Sequence, residues 1–275
     1  MINALTVDVE EWFHICGVRD LGPSRWGELP SRVEPTTRRL LDLFGRAGAR
    51  ATFFVLGWVA ERHPHLVDEI TGAGHTIGSH GYWHRRAYDL GEPAFADDLA
   101  QSLRALSAAG APPITAFRAP EWSINQRSLW ALPVLAAHGI RLDASMAPIR
   151  VVGSPAFPRQ PYVHRTSGGP ILEVPPLVAD RFGQVMPMGW GWGLRMSAPR
   201  RVLDEIARTN HAGSPAVLTI HPWEIDPNPP HVRLSPGLRF AHYFRLAGFA
   251  DRLRSILEGA SFGPLHEAVA HVESR

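Results

Sequence analysis

The sequence predicts an α/β fold whose largely parallel sheet of seven strands curls into a barrel. Short apolar runs alternate with amphipathic stretches, most of which end in glycine as helix C-termini do. No Gly-x-Gly-x-x-Gly follows the first apolar run, which lowers the alternative of an open dinucleotide-binding sheet. No internal repeat, low-complexity tract or linker divides the 275 residues, so residues 1–275 are expected to form one domain.

Taken in order, strands are expected at Ala4–Val9, Ala51–Leu56, Thr76–Ser79, Ile114–Arg118, Gly139–Ala144, Ile171–Val174 and Ala216–His221. Helices fit Pro35–Ala47, Pro64–Thr71, Pro93–Ala109, Gln126–Ala137, Ala198–Asn210 and Gly248–Glu258; the prolines opening three of them suit a first helical turn. The segments Pro148–Gly169 and Leu177–Ser197, rich in Pro, Gly and aromatic residues, read as long loops.

Composition removes whole classes of chemistry. All 28 basic residues are arginine, which excludes a P-loop lysine, a Schiff-base lysine and a lysine nucleophile. The one cysteine, Cys16, allows neither an internal disulfide nor a Cys-rich zinc site, and reads as a bystander in a loop. A net charge of +2 is far from the basic stripe of a nucleic-acid binder, so no nucleic-acid partner is expected. The N-terminus lacks a basic region followed by an apolar one, and no run reaches the length of a membrane span. A cytoplasmic location is therefore expected, with periplasmic delivery by another route left open. Fourteen histidines and 26 carboxylates leave ample material for a His/carboxylate metal site.

In a parallel barrel, catalytic groups sit at the C-terminal ends of strands. Along the first strand Thr6, Asp8 and Glu10 share one face and Leu5, Val7 and Val9 the other, because side chains alternate with period two. Asp8 and Glu10 thus converge, unless they are merely solvated strand-end carboxylates. His80 and His84 lie one helical turn apart directly after the third strand, a spacing that lets two imidazoles reach one cation. With so many histidines the spacing is unremarkable by chance, and its place at a strand end carries the weight. Arg118 ends the fourth strand and can orient a carboxylate, or make a rim salt bridge. Asp143 and His221 close the fifth and last strands.

The ordered set Thr6-Val-Asp-Val-Glu10, Ser79-His-Gly-Tyr-Trp-His84, Arg118-Ala-Pro, Leu142-Asp-Ala-Ser145 and Thr219-Ile-His221 resembles the successive motifs of the polysaccharide deacetylases, the NodB-homology carbohydrate esterases. His221-Pro-Trp-Glu-Ile-Asp-Pro227 and Arg239-Phe-Ala-His-Tyr-Phe-Arg-Leu246 resemble the branch found beside exosortase (PEP-CTERM) exopolysaccharide loci. The resemblance implies a distorted (β/α)7-8 barrel, with a family-specific part from about residue 225 to 275 packed on it, and a divalent metal, commonly zinc, with cobalt, nickel or manganese as alternatives. It also implies Asp8 as general base, His80 and His84 as metal ligands, His221 as general acid, Arg118 as the residue holding the base, and Asp143 as a carboxylate that sets the acid. The family's second adjacent Asp is Val9 here, and strand alternation offers Glu10 as third ligand, with Glu11 facing away.

The implied activity is hydrolysis of N-acetyl groups on amino sugars of an exopolysaccharide or its lipid-linked precursor. Trp122, Trp190, Trp192, Trp223 and Arg195 are expected to meet the sugar, or simply to cover the barrel. Two other readings stand beside this one: a C–N hydrolase of a small amide or cyclic imide, and a non-catalytic polysaccharide-binding scaffold.

Overall fold

The computed structural model describes residues 1–181 and 183–273. In chain order its elements are β1 (Asn3–Val9), α1 (Val33–Ala47), β2 (Thr52–Val55), α2 (Gly57–Arg62), α3 (His65–Gly72), β3 (Thr76–Ser79), α4 (Ala87–Leu90), α5 (Glu92–Ala108), β4 (Ala116–Phe117), α6 (Ala131–Ala137) and β5 (Leu142–Asp143). There follow β6 (Tyr162–Thr166), β7 (Gly169–Glu173), β8 (Val178–Arg181), β9 (Gln184–Pro187), α7 (Gly191–Met196), α8 (Pro199–His211), β10 (Val217–Ile220), α9 (Pro236–Tyr243), α10 (Phe249–Gly259), β11 (Phe262–Gly263) and α11 (Leu265–Glu273).

The main sheet runs β10-β1-β2-β3-β4-β5-β7-β6, parallel throughout except for β6 against β7, and β11 adds to β1. This is the mostly parallel α/β fold that the sequence predicts. No continuous ladder joins its two edges among the described residues. The seam beside β10 is filled instead by single contacts: Leu177 N–H donates to Val217 O (3.1 Å), Thr219 N–H donates to Gly189 O (2.8 Å), and Trp190 bridges Thr219. The barrel is distorted at that point.

Every residue of β1 is buried, as expected of a strand flanked on both sides and covered on both faces. On α1 the buried residues Val33, Thr36, Thr37, Leu40 and Phe44 recur at helical spacing, and the helix ends on Gly48 at φ 62°, a left-handed cap that glycine adopts without steric penalty. The segment after residue 225 lays β11 and α11 along β1.

Both long segments read as loops contain structure. Tyr162–Thr166 pairs antiparallel with β7, and 177–197 holds the β8–β9 hairpin and α7. Their strands are exposed at alternate residues or at their tips, so little apolar periodicity marks them. The helices α2, α4, α9 and α11 are additional to those expected, and three of them are no more than eight residues long, below the window in which periodicity is readable.

One buried polar group predicts an acid limit to stability. His75 is 6% exposed, and its Nδ1 accepts the amide of Ala51 (3.1 Å). Burial, aided by the charge of Arg50, pushes its pKa down to about 4. The unfolded chain therefore takes up this proton near pH 6.5 and the folded chain only near 4, so stability is full above 6.5 and falls between the two, by at most about 3 kcal/mol. His75→Gln, which retains an acceptor without titrating, is expected to flatten the acid limb of urea midpoint against pH; an unchanged limb would exclude His75 as a cause.

Candidate active site

Strand alternation on β1 sets the geometry. Thr6, Asp8 and Glu10 follow one another along one face, and each meets a partner from another strand end. Arg118, fully buried, extends its guanidinium across them: Nη1 donates to Thr6 Oγ1 (2.7 Å), Asp8 Oδ1 (2.9 Å) and Thr219 Oγ1 (3.1 Å), while Nε donates to Ala144 O (2.9 Å). The rings of Phe54 and Trp122 lie at 4.5 and 4.4 Å from it. One oxygen of Asp8 is thereby fixed, and Oδ2 faces His221 Nε2 at 3.8 Å.

Glu10, His80 and His84 each bring one ligand atom within 4.8 Å of the others, all three side chains being buried. His80 Nδ1 pairs with the carbonyl of Arg118 (2.9 Å); that oxygen can only accept, so Nδ1 carries the proton and Nε2 keeps its lone pair toward Glu10. Glu10 Oε1 accepts from Trp223 Nε1 (3.1 Å). Oε2 is buried without an aligned hydrogen-bond donor, although His84 Nε2 lies 2.5 Å away and His80 Nε2 3.8 Å. A buried carboxylate oxygen facing two imidazole nitrogens, with no hydrogen bond of its own, fits a tetrahedral divalent cation. Burial alone would raise the Glu10 carboxyl, but His84, His221 and His80 outweigh it and hold it well below the usual carboxylate range. His84 is correspondingly raised: burial opposes its charge, and Glu10 together with Cys16 overrides burial.

The turn carrying both histidines is tightly pinned. Asp98 on α5 accepts the amides of Tyr82 (2.7 Å) and Trp83 (3.0 Å). Gly81, at φ 75°, passes so close to Asp98 that a Cβ there would lie 2.9 Å from Oδ2. His84 itself adopts φ 49°, a left-handed conformation that costs a non-glycine residue about 1–3 kcal/mol and is found where surrounding structure fixes a functional side chain. Glu11 points elsewhere, accepting the amide of Arg32 (2.9 Å) and the hydroxyl of Ser31.

His221 ends the last long strand of the sheet, and its carboxylate partner is Glu224, not Asp143. Glu224 Oε2 accepts the His221 amide (2.9 Å) and pairs with Nδ1 (3.0 Å). Burial by itself would lower the imidazole, yet Glu224, then Glu10 and Asp8, push it up to about 9. Asp143 is taken up elsewhere: it accepts from Ser145 Oγ (2.5 Å) and sits against Glu173. Burial raises both of these acids, Asp143 to about 6, and the neighbouring Asp143 raises Glu173 further. Ser145 Oγ in turn accepts the amide of Ala119 (2.7 Å), which makes Asp143 a support of the Arg118-Ala-Pro turn.

The residues expected to meet sugar divide. Arg195 is fully buried and ion-paired with Glu224 (Nε to Oε1, 3.0 Å), and its Nη1 donates to the carbonyls of His242 (3.0 Å) and Phe244 (2.7 Å). It acts on His221 through Glu224 and has no surface to offer a ligand. Trp223 is sandwiched between His221 and His242, at 5.1 and 4.1 Å, and Trp122 covers Arg118; both are buried by those contacts. Trp190 and Trp192 remain half-buried, the first against Trp122 and the second toward Phe240.

Glu224 is the functional residue that sequence reasoning misses. Its signal lay in His221-Pro-Trp-Glu224: proline at the first helical position and glutamate at the third make a capping box, which folds the acid back onto the residue that opens the turn. Cys16 is likewise closer than a bystander, its thiol donating to His84 O (3.1 Å) and lying 3.5 Å from Nδ1.

A family model described as "Polysaccharide deacetylase" matches residues 20–142, and a second, "Domain of unknown function (DUF3473)", matches residues 144–270. A peptidoglycan-N-acetylglucosamine deacetylase of Bacillus cereus is 32% identical over 71 residues, which is 26% of this chain and 26% of that protein. The chain thus spans about a quarter of that relative's length. Among solved structures, a putative polysaccharide deacetylase from Mycobacterium smegmatis superposes with a TM-score of 0.62 at 18% identity, covering 99% of this chain and 91% of the other. The Puue allantoinase superposes at 0.58 and 17% identity, covering 98% and 89%. These structural likenesses establish the shared fold. The family model and the relative support the polysaccharide deacetylase family.

Proposed function

We propose that this chain is a divalent-metal-dependent hydrolase that removes N-acetyl groups from amino sugars of an exopolysaccharide or its lipid-linked precursor, releasing acetate. The carrying observation is the convergence of Glu10, His80 and His84 beside an acid, Asp8, and an imidazole, His221, that face one another. In this reading the chain acts as one unit, residues 225–275 included.

Glu10, His80 and His84 would hold the metal, with zinc suited to the set and cobalt, nickel or manganese as substitutes. A cation there supplies a Lewis acid for the acetamido carbonyl and lowers the pKa of an attacking water. Asp8 accepts the water's proton at Oδ2, because Arg118 occupies Oδ1 and fixes the carboxylate plane. The amide of Trp122 is committed to Ala119 O (3.2 Å), so we assign the backbone donor for the developing oxyanion to Glu121 in the same turn. His221, charged over the neutral range, delivers a proton to the departing amine, and the products are acetate and a free amino sugar. Of the two half-buried tryptophans, Trp190 packs on Trp122, which covers Arg118, and is the one assigned to face the sugar ring.

Acetate release from N-acetylglucosamine oligomers and purified exopolysaccharide, with zinc, cobalt, nickel and manganese added in turn, tests this reading. Metal-dependent acetate is expected, abolished by chelation. Ring opening of small imides without acetate from any glycan would move the protein to the second class of C–N hydrolase. Failure to retain stoichiometric zinc would favour the scaffold.

The role of Glu224 makes a separate prediction. Glu224→Gln removes the charge that raises His221, so the imidazole should lose its proton at lower pH. The alkaline limb of kcat, expected near pH 9, is then expected to shift down, with kcat at neutral pH reduced about 10–100-fold. An alkaline limb that stays in place would remove Glu224 from the control of His221.

A further inference from the structure

Four apolar side chains that the reaction does not use lie on and around α9. Phe240 and Phe244, 42% and 36% exposed, lie one helical turn apart with ring centroids 4.6 Å from each other. Trp192 extends the aromatic surface from α7 toward Phe240 (6.1 Å), and Met196, at the end of α7, is 46% exposed. Single exposed apolar residues such as Met196 need no explanation, but three neighbouring rings mark a surface that meets something.

Along the stretch of chain that carries α9 the charge is of one sign, with Asp251 the first acid after it. From Pro227 to Ala250 the chain contains no Asp or Glu, while Arg233, Arg239 and Arg245 are all exposed. Arg245 also reaches across to α7, its Nη1 donating to Met196 O (3.2 Å), which joins the two helices beneath the aromatic surface. Phenyl rings and a thioether flanked by guanidinium groups match the boundary of an anionic bilayer, where rings enter the acyl edge and cations meet phosphate.

The face is rigidly tied to the reaction centre. Two residues along a helix turn it by about 200°, so α9 carries Phe240 outward and His242 inward. His242 stacks on Trp223, which stacks on His221 and donates to Glu10. Arg195 holds the carbonyls of His242 and Phe244 with one end and Glu224 with the other.

We propose that the α9 face docks peripherally on an anionic lipid surface, so that the catalytic cleft meets a glycan still attached to its lipid carrier. The identity of the glycan rests on the proposed function; the docking itself does not.

Co-sedimentation of the full chain with vesicles of phosphatidylcholine alone, and of phosphatidylcholine mixed with phosphatidylglycerol, tests it. Binding is expected to the mixed vesicles and to weaken with salt. Phe240→Ser with Phe244→Ser should lower partitioning about ten-fold, and Arg239→Gln about five-fold, since each basic residue at such a surface contributes about that factor. These side chains are exposed, and acetate release from soluble oligosaccharide should be unchanged in both variants. Equal binding to both vesicle types, no binding to either, or binding indifferent to all three substitutions would overturn the proposal. So would a solution dimer that the double variant dissociates, or saturable binding of N-acetylglucosamine oligomers that it abolishes. Should no glycan yield acetate while vesicle binding behaves as expected, the docking stands and the deacetylase reading falls.

Discussion

Glu10→Ala is expected to weaken zinc binding at least about 100-fold, because it removes one of three protein ligands and leaves two imidazoles that cannot balance the cation's charge. Glu11→Ala should leave zinc affinity close to unchanged, although it will cost stability: Glu11 accepts the amide of Arg32 and is 1% exposed. Competition with a chromophoric chelator separates the two effects, since it reads affinity and not activity. The contrast is demanding because the residues are neighbours in sequence and identical in type; only strand geometry distinguishes them. Equal losses in the two variants would remove Glu10 from the ligand set.

Asp8→Asn is expected to retain zinc and lose about 1,000-fold in kcat, within the range that a positioned general base supplies, or about 4 kcal/mol of barrier. Asparagine preserves the shape and an oxygen for Arg118, so the comparison isolates the proton acceptor. The buried guanidinium loses its counter-charge, and some loss of thermal stability should accompany the kinetic effect. Zinc content measured on the same sample shows whether the site survives. Undiminished acetate release with full zinc would take Asp8 out of the mechanism.

Much of the fold and of the candidate site could be read from residue order because both rest on short-range rules. Period-two alternation places Asp8 and Glu10 on one face of β1, and a strand followed by a pinned turn brings His80 and His84 together. What sequence leaves unread is long-range. Asp143 ends a strand at the same rim as His221, but nothing local shows that Glu173, thirty residues on, sits against it or that Glu224 lies closer to the imidazole. The tryptophans mislead for a related reason: an indole stacks equally well on a sugar, a guanidinium or an imidazole. Trp122 and Trp223 found the latter two inside the protein.

The acids of β1 have a bearing on how this chain can change over generations. Thr6, Asp8 and Glu10 are spaced by a ruler that counts residues in twos, and one extra codon between Thr6 and Glu10 would turn the remainder of the strand over. Glu10 would then face the barrel's covering layer, and a valine would stand among the imidazoles. Point substitutions there can be graded in effect, whereas a one-residue insertion abolishes the ion site outright. Length variation among descendants should therefore be confined to stretches such as 148–161, where no such count is kept.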